Sequence, residues 1–154
     1  MKLYLSQHGE AHSKEKDPNR PLTSKGVDDV ENVAQFLKQA GVQVKQIIHS
    51  GKLRARQTAE HLAKQLADDI ELETTGIINP NDSPETFAWQ IGSWQGDTLI
   101  VGHLPFMARL VSHLINGEKE PLMVAFQPGS VVCLERINNE HWVINWMIRP
   151  GLLG

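Results

Sequence analysis

Two histidines and an arginine stand at junctions between predicted strands and helices. His8 follows the short apolar run at residues 3–5, and His103 follows the apolar run at residues 98–101. Arg54 lies in the first turn of the helix predicted after the second strand, which ends at His49-Ser50. Because the carboxyl ends of parallel strands open on one edge of a sheet, we expect these side chains to converge there.

This set of side chains suits the transfer of a phosphoryl group through a histidine. One imidazole can attack phosphorus, while a second donates protons to the phosphoryl oxygens and neutralises developing charge. The guanidinium of Arg54 is a planar, permanently charged fork that matches phosphate geometry. The amino terminus of its helix adds free N–H groups and positive dipole character. The residues therefore indicate phosphoryl transfer with a phosphohistidine intermediate.

Strand and helix patterns alternate along most of the chain. Apolar spacing predicts helices at about 23–40 and 52–67, and further helices that start at 83–84 and at 105. Short apolar runs predict strands at 44–49, 70–73 and 98–101, in addition to the first strand. Two more strands, at 130–137 and 141–148, flank a turn at 138–140. The sequence thus predicts a three-layer α/β fold, with a mostly parallel mixed sheet flanked by helices and an antiparallel carboxyl-terminal hairpin.

Several local details are also expected from the sequence. Ser83 is predicted to cap the third helix, with Pro84 in its first turn. Cys133 lies in an apolar run and is expected in the core. Alternation of Trp142, Ile144, Trp146 and Ile148 predicts one apolar face on the last strand. The tryptophans are expected to pack in the core or at its rim: Trp89, Trp94, Trp142 and Trp146.

Composition restricts the class of protein. The chain has 154 residues, 40% hydrophobic and 21% charged, as expected for one ordinary globular domain spanning residues 1–154. A net charge of −3 argues against generic nucleic-acid binding. A single cysteine excludes an internal disulfide and a multi-cysteine zinc site. No signal peptide or membrane span is recognised, so we expect a cytoplasmic protein, and nothing in the sequence demands an oligomer.

Four short motifs occur in order along residues 2–111. They are Gln7-His8-Gly9-Glu10-Ala11, Arg20-Pro21-Leu22-Thr23, Ser50 with Arg54-Ala55 and Thr58-Ala59, and Gly102-His103-Leu104-Pro105. Each motif is weak alone, but the ordered set is specific. With them the chain resembles the histidine phosphatase superfamily, the phosphoglycerate-mutase-like enzymes, and in length and layout its small SixA-type phosphohistidine phosphatases. The resemblance implies a phosphoglycerate-mutase-like fold, without the large helical insertion that supplies a separate acid in mutases.

The resemblance also implies catalytic roles. His8 would be the nucleophile that becomes phosphorylated, Arg54 would clamp the phosphoryl oxygens, and His103 would stabilise the transition state from the far side of the phosphate. The implied reaction is hydrolysis in two steps, transfer of the phosphoryl group to His8 and then attack by water. The arginine and the second histidine supply the charge, so no metal ion and no cofactor are expected.

Other residues of the motifs are expected to contact phosphate or substrate. These are Gln7, Gly9, Arg20, Ser50 and Leu104. Glu10 is the candidate general acid near the leaving group; the alternatives are a solvated loop carboxylate and a residue that orients a neighbouring base. His8 and His12 lie four positions apart, but the segment lacks the order of the zinc-protease signature, which disfavours metal ligation.

Gln7 departs from the superfamily pattern, which has an arginine before the nucleophile. A neutral carboxamide in place of a guanidinium costs about 1–2 kcal/mol of phosphate binding. If the lost contact strengthens in the transition state, a loss of about 1.4 kcal/mol slows catalysis roughly tenfold. Lys52 and Arg109 are candidate substitutes for the missing cation, whereas Arg56 should point away from Arg54.

Three functions follow from these residues and the resemblance. The first is a phosphatase that acts on phosphohistidine in a partner protein, favoured by a short chain that leaves the site open. The second is a small-molecule phosphomonoesterase. The third is a degenerate member that binds phosphorylated ligands with little turnover because of Gln7.

Overall fold

Six strands form one mixed sheet in the computed structural model, which describes residues 1–154. The strands are β1 (Lys2–Gln7), β2 (Gln46–His49), β3 (Glu73–Thr74), β4 (Thr98–Gly102), β5 (Val131–Ile137) and β6 (His141–Ile148). The helices are α1 (Ser24–Gln39), α2 (Leu53–Leu66), α3 (Pro84–Ile91), α4 (Phe106–Asn116) and a short 3-10 helix at Pro150–Leu153. The strand order is β3-β2-β4-β1-β5-β6; β1 to β4 are parallel, β5 is antiparallel to β1, and β6 is antiparallel to β5. The predicted three-layer α/β fold and its carboxyl-terminal hairpin are confirmed.

Apolar side chains cover both faces of the sheet. On one face Val30 of α1 and Leu62 of α2 pack with Ile47 and Val101. The other face carries a second cluster, in which α3 and α4 pack against β1, β4 and β5. Because both faces are buried, the central strands are continuous apolar runs that form a fixed support for the loops at their ends.

The position of β4 determines which loops meet. β4 lies between β1 and β2, and the register pairs Gln7 with Gly102 and His49 with Val101. The residues that follow these three strands therefore emerge side by side on the carboxyl-terminal edge of the sheet. This is the convergence that the sequence predicted.

The loop after β1 is attached to the start of α1. Thr23 caps α1, since its Oγ1 accepts the N–H of Gly26 at 2.9 Å, and its own N–H donates to the carbonyl of Glu10 at 2.9 Å. A Cβ at Gly26 would collide with that same Glu10 carbonyl oxygen. Glycine is required at this position because the helix and the loop approach each other backbone to backbone.

One sequence prediction about a strand needs correction, and the predicted N-cap of α3 is confirmed. The strand predicted at 70–73 is only the two residues Glu73–Thr74, because Ile70 and Leu72 pack against the α1–α2 cluster instead of pairing in the sheet. Ser83 occupies the N-cap position of α3, but its side chain makes no capping hydrogen bond. Pro84 lies in the first turn as predicted.

The tryptophan predictions are only partly correct. Trp89 is 88% exposed, because the buried stripe of α3 runs through Pro84, Phe87 and Ile91 and leaves position 89 on the opposite side. A β-bulge at Asn145 interrupts the expected alternation of β6, since Cys133 pairs with Trp146 and Leu134 with Ile144. The extra residue moves side chains beyond it to the other face.

The bulge therefore divides the two tryptophans of β6 between the two clusters. Trp146 packs with Tyr4 on the α1–α2 face, their ring centroids 5.9 Å apart, whereas Trp142 packs against the α3–α4 cluster. Cys133 is fully buried, as expected, and burial raises the pKa of its thiol to about 11. None of the helices has the length and apolar character needed to cross a membrane.

We expect the substitution Gly26→Ala to lower the free energy of unfolding by about 1–3 kcal/mol, because the added methyl group forces apart α1 and the loop after β1. Chemical denaturation monitored by circular dichroism measures the change. Gly76→Ala is the matched control, since a Cβ at Gly76 meets no atom within 4 Å. Equal stability of the two variants would contradict the close approach.

Candidate active site

The side chains of His8 and His103 lie together on the carboxyl-terminal edge of the sheet. The backbone N–H of His8 donates to the carbonyl of Gly102 at 3.0 Å, which extends the β1–β4 pairing to the histidines themselves. The centroids of the two imidazole rings are 5.0 Å apart, with 55° between the ring planes. A phosphoryl group bound here would be within reach of both rings.

A hydrogen bond to the adjacent backbone orients the ring of His8. Its Nδ1 lies 2.7 Å from the carbonyl oxygen of Gly9. A carbonyl oxygen can only accept, so Nδ1 carries the hydrogen and Nε2 keeps its lone pair. Burial lowers the pKa of His8 to about 4; the hydrogen bond to Gly9 opposes the shift, and the charges of Arg54 and Arg20 add to it. The ring is therefore neutral at pH 7 and presents the unprotonated nitrogen that a nucleophile requires.

His103 is more deeply buried, with 2% of its surface exposed. Its Nε2 lies 2.6 Å from Oγ of Ser50, at the start of the loop between β2 and α2. Burial lowers the pKa of His103 to about 3. His8 and the cations Arg54, Lys52 and Arg20 lower it further. Ser50 therefore fixes the orientation of a ring that is neutral at pH 7.

Arg54 and Arg20 bring positive charge to the two histidines. Arg54 lies in the first turn of α2, and its Nε is buried without a hydrogen-bond partner. Burial and the neighbouring charge of Arg20 lower the pKa of Arg54, which still remains charged at neutral pH. Arg20 reaches the site from a loop position with φ of 49°, and its Nε donates to the carbonyl of His12 at 2.9 Å. An anion is the natural counterpart of two adjacent guanidinium groups.

Gln7, the last residue of β1, is 9% exposed. Strand alternation puts it on the face of Leu3 and Leu5, which pack in the α3–α4 cluster. Its Oε1 is buried and has no hydrogen-bond partner. The same is true of Arg54 Nε and His103 Nδ1. Three unpartnered polar atoms at one edge are typical of a site whose partners come from a ligand.

The structure gives the other predicted site residues different surroundings. The N–H of Gly9 is already used, since it donates to Oγ1 of Thr58 at 2.9 Å, so Gly9 orients His8 and offers no free amide. Leu104 is 36% exposed beside His103, and its backbone N–H has no acceptor in the protein. Glu10 is a neighbour of Lys25, whose pKa its charge helps to raise, and it shifts the pKa of neither histidine.

Two of the three cations considered as substitutes for the missing arginine are paired elsewhere. Arg109 lies 3.6 Å from the carboxylate of Glu120, and Arg56 lies 3.6 Å from that of Glu60. Lys52 does act on the site, because its charge contributes to the lowered pKa of His103. Lys52 and Arg20 are therefore the cations that accompany Arg54. No group of three or more His, Cys, Asp or Glu side chains could hold a metal ion.

Thr58 is a site-forming residue to which the sequence analysis assigned no role. It is fully buried, and it joins the backbone of Gly9 to the first turn of α2. The available signal was its position four residues after Arg54, which places both residues on the same side of one helix.

Comparison with known proteins agrees with this geometry. The model of the histidine phosphatase superfamily (branch 1) matches residues 3–75. An uncharacterized protein of Picosynechococcus sp. is 33% identical, with 96% of this chain and 99% of that protein covered. The chain belongs to the histidine phosphatase superfamily. It is thus a phosphatase that acts through histidine.

The similarity to SixA covers almost the whole chain. The phosphohistidine phosphatase SixA of Escherichia coli (strain K12) is 27% identical, with 97% of this chain and 94% of that protein covered. The solved structure of the protein histidine phosphatase SixA complexed with tungstate superposes with a TM-score of 0.89 at 25% identity, and covers 100% of both chains. The phosphoglycerate-mutase-like fold predicted from the sequence is confirmed.

We expect acid to destabilise the protein through the buried imidazoles. Unfolded histidines take up protons near pH 6.5, whereas folded His103 resists protonation down to about pH 3. Between these values the unfolded state binds more protons, so the free energy of unfolding falls as the pH falls from 6.5 to 4. The share due to His103 is on the order of 3 kcal/mol.

Denaturant titrations at a series of pH values test this expectation. His103→Asn should flatten the dependence of stability on pH in this window. His141→Asn, at an exposed position in β6, should leave it unchanged. A His103→Asn protein as acid-sensitive as the wild type would contradict the assignment.

Proposed function

We propose that the protein hydrolyses phosphohistidine in a partner protein, through a phosphorylated intermediate on His8. The observation that carries this proposal is the charge around the histidine pair. Every charged side chain that contributes to the lowered pKa of His8 or His103 is a cation, and no carboxylate contributes. The site can therefore hold a phosphoryl group, and no carboxylate acts on the charge of either histidine.

The weak electrostatic role of carboxylates at the histidine pair favours a phosphoramidate over a phosphoester. An alkoxide leaving from an ester needs a proton from a positioned general acid. The second ring nitrogen of phosphohistidine can take up a proton from solvent near neutrality, since the pKa of an imidazole is about 6.5, and the ring can then leave as neutral imidazole. A site in which no carboxylate acts on either histidine is thus suited to cleavage of the phosphorus–nitrogen bond.

The first step would be in-line attack by His8. Its Nε2 lone pair forms a bond to phosphorus as the bond to the substrate nitrogen breaks, and the substrate ring, protonated beforehand by solvent on its other nitrogen, leaves as neutral imidazole. Arg54 and Arg20 would hold the phosphoryl oxygens and balance their charge. Water then attacks phosphorus, the bond to Nε2 breaks, and phosphate leaves with His8 restored.

Ser50 would connect His103 to the phosphoryl group. Nδ1 of His103 is buried without a partner, and a buried N–H without an acceptor is rarer than an unused lone pair. This favours a ring that carries its hydrogen on Nε2 and donates it to Ser50 Oγ, 2.6 Å away. The hydroxyl hydrogen of Ser50 is then free to donate to a phosphoryl oxygen.

The short loops around the site support a protein as the substrate. Only residues 50–52 separate β2 from α2, and only residues 103–105 separate β4 from α4. No subdomain is inserted at these junctions, so a phosphohistidine that projects from another protein can reach His8.

A cavity of about 740 Å³ lies at the opposite edge of the sheet, beside Tyr4 and Val44, and none of the candidate site residues lines it.

We expect a phosphoryl group from labelled phosphoramidate to be trapped on the wild-type protein and to be absent from His8→Ala. His12→Ala is the matched control, because it removes a neighbouring imidazole that is not part of the histidine pair. Quenching in alkaline detergent, which preserves a phosphohistidine that acid would hydrolyse, followed by gel electrophoresis under neutral conditions measures the label. Undiminished labelling of His8→Ala would contradict the proposal.

The choice of substrate is tested by steady-state kinetics. A phosphohistidine peptide should be hydrolysed with a kcat/KM at least about tenfold above that of a phosphoserine peptide, since only the alkoxide that leaves from the ester requires a general acid. Equal or higher activity on the ester would favour a phosphomonoesterase.

We expect Gln7→Arg to raise kcat/KM several-fold, up to about tenfold, because it adds a charge-assisted contact to the phosphoryl group. Gln7→Met is the matched control, with similar length and no charge, and should give no gain. A collapse of activity in Gln7→Arg would show that the carboxamide has a positive role in a rearranged site.

A further inference from the structure

Thr58 lies at the centre of a hydrogen-bond chain that links α2 to the nucleophile. Its Oγ1 is 2.9 Å from the backbone nitrogen of Gly9 and 2.8 Å from the carbonyl oxygen of Arg54. Gly9 in turn accepts the Nδ1 hydrogen of His8 at 2.7 Å. The side chain of Thr58 is wholly shielded from water, so no solvent molecule at the surface can replace these bonds.

The direction of each hydrogen bond follows from the chemistry of the partners. The N–H of Gly9 can only donate, so Oγ1 of Thr58 accepts from it. The carbonyl of Arg54 can only accept, so the single hydroxyl hydrogen of Thr58 is donated there. The hydroxyl is used in both directions, and no other side-chain oxygen accepts the Gly9 N–H.

We propose that Thr58 is a positioning residue that fixes the Gly9 peptide, and through it the tautomer and orientation of the His8 ring. The proposal rests on the proposed function of His8 as the phosphoryl acceptor. It assigns no contact with substrate to Thr58, which acts only through Gly9.

Close packing around Gly9 explains why loss of its hydrogen bond to Thr58 should displace the Gly9 peptide. A Cβ at Gly9 would lie 2.8 Å from Cγ2 of Val30 and 3.1 Å from the carbonyl oxygen of Gly26. The segment is thus enclosed by α1 on one side and is anchored to α2 by Thr58. Without the hydroxyl, the buried N–H of Gly9 has no acceptor, and the segment must move to find one.

Movement of Gly9 would release the ring of His8. The carbonyl of Gly9 is the group that holds the ring hydrogen on Nδ1, and free histidine prefers the tautomer with the hydrogen on Nε2. That tautomer has no lone pair on the nitrogen that faces the phosphoryl group. Loss of the Thr58 hydroxyl should therefore lower reactivity more than it lowers phosphate binding.

Three variants test the proposal. Thr58→Val keeps the shape and removes the hydroxyl, while Thr58→Ser keeps the hydroxyl. Ser112→Ala is the matched control, because it removes another fully buried helical hydroxyl, one that donates to the carbonyl of Pro121 at 3.0 Å and is remote from the site. All three proteins are compared in the full chain at equal fractions folded.

The first measurement is the rate of His8 phosphorylation by phosphoramidate. Thr58→Val should slow it about 10- to 100-fold with less than about a threefold change in KM, because misplacement of the nucleophile affects reaction more than binding. Thr58→Ser should restore the rate to within about threefold of the wild type. Ser112→Ala should lose stability and keep its rate.

The second measurement is the tautomer of His8, from nitrogen-15 NMR of the imidazole at pH 7. Wild type and Thr58→Ser should show the hydrogen on Nδ1, and Thr58→Val should shift toward Nε2. An unchanged tautomer and rate in Thr58→Val overturns the proposal, as does equal loss in the valine and serine variants. If the wild type accepts no phosphoryl group, the proposed function fails, and the NMR result alone decides the role of Thr58.

Discussion

The parallel pairing of β4 with both β1 and β2 is the constraint on which the site depends. His8 and His103 are distant in sequence, and they follow different strands. Because β4 occupies the place between β1 and β2, His8, His103 and Ser50 follow three adjacent strand ends. The N–H of His8 bonded to the carbonyl of Gly102 continues this pairing into the site.

Burial at that edge then determines the chemistry of the two imidazoles. Each would be partly protonated in water near pH 6.5. Desolvation, together with the surrounding cations, keeps both neutral, so that the same environment that attracts a phosphoryl group also keeps a lone pair on His8. A bound phosphate dianion would oppose these cations and raise the pKa of His103, which would favour its protonated, positively charged form as negative charge develops. The same positive charges that lower the pKa of the two histidines thus favour the binding of an anion.

Backbone contacts, rather than further charged side chains, hold the nucleophile in place. Gly26 and Gly9 permit α1 to lie directly against the loop after β1, and Thr58 ties that loop to α2. Gln7 adds no charge to this arrangement. The chain therefore combines a well-fixed histidine with a lower positive charge than an arginine at position 7 would give, and these two properties have opposite effects on turnover.

The sequence by itself determined the order of the elements and the hairpin, because apolar periodicity is a local signal. It also determined that His8, Arg54 and His103 lie at the same edge of the sheet, because the strand-to-helix junctions that carry them are local signals too. The bulge at Asn145 and the exposure of Trp89 were not determined by the sequence alone, because each depends on which neighbour a strand or helix packs against. Only the tertiary structure decided that Thr58 supports the loop of His8, that Arg109 is engaged by Glu120, and that Glu10 lies beside Lys25. Those contacts join residues far apart in the chain, and their geometry is set by packing that no local pattern encodes.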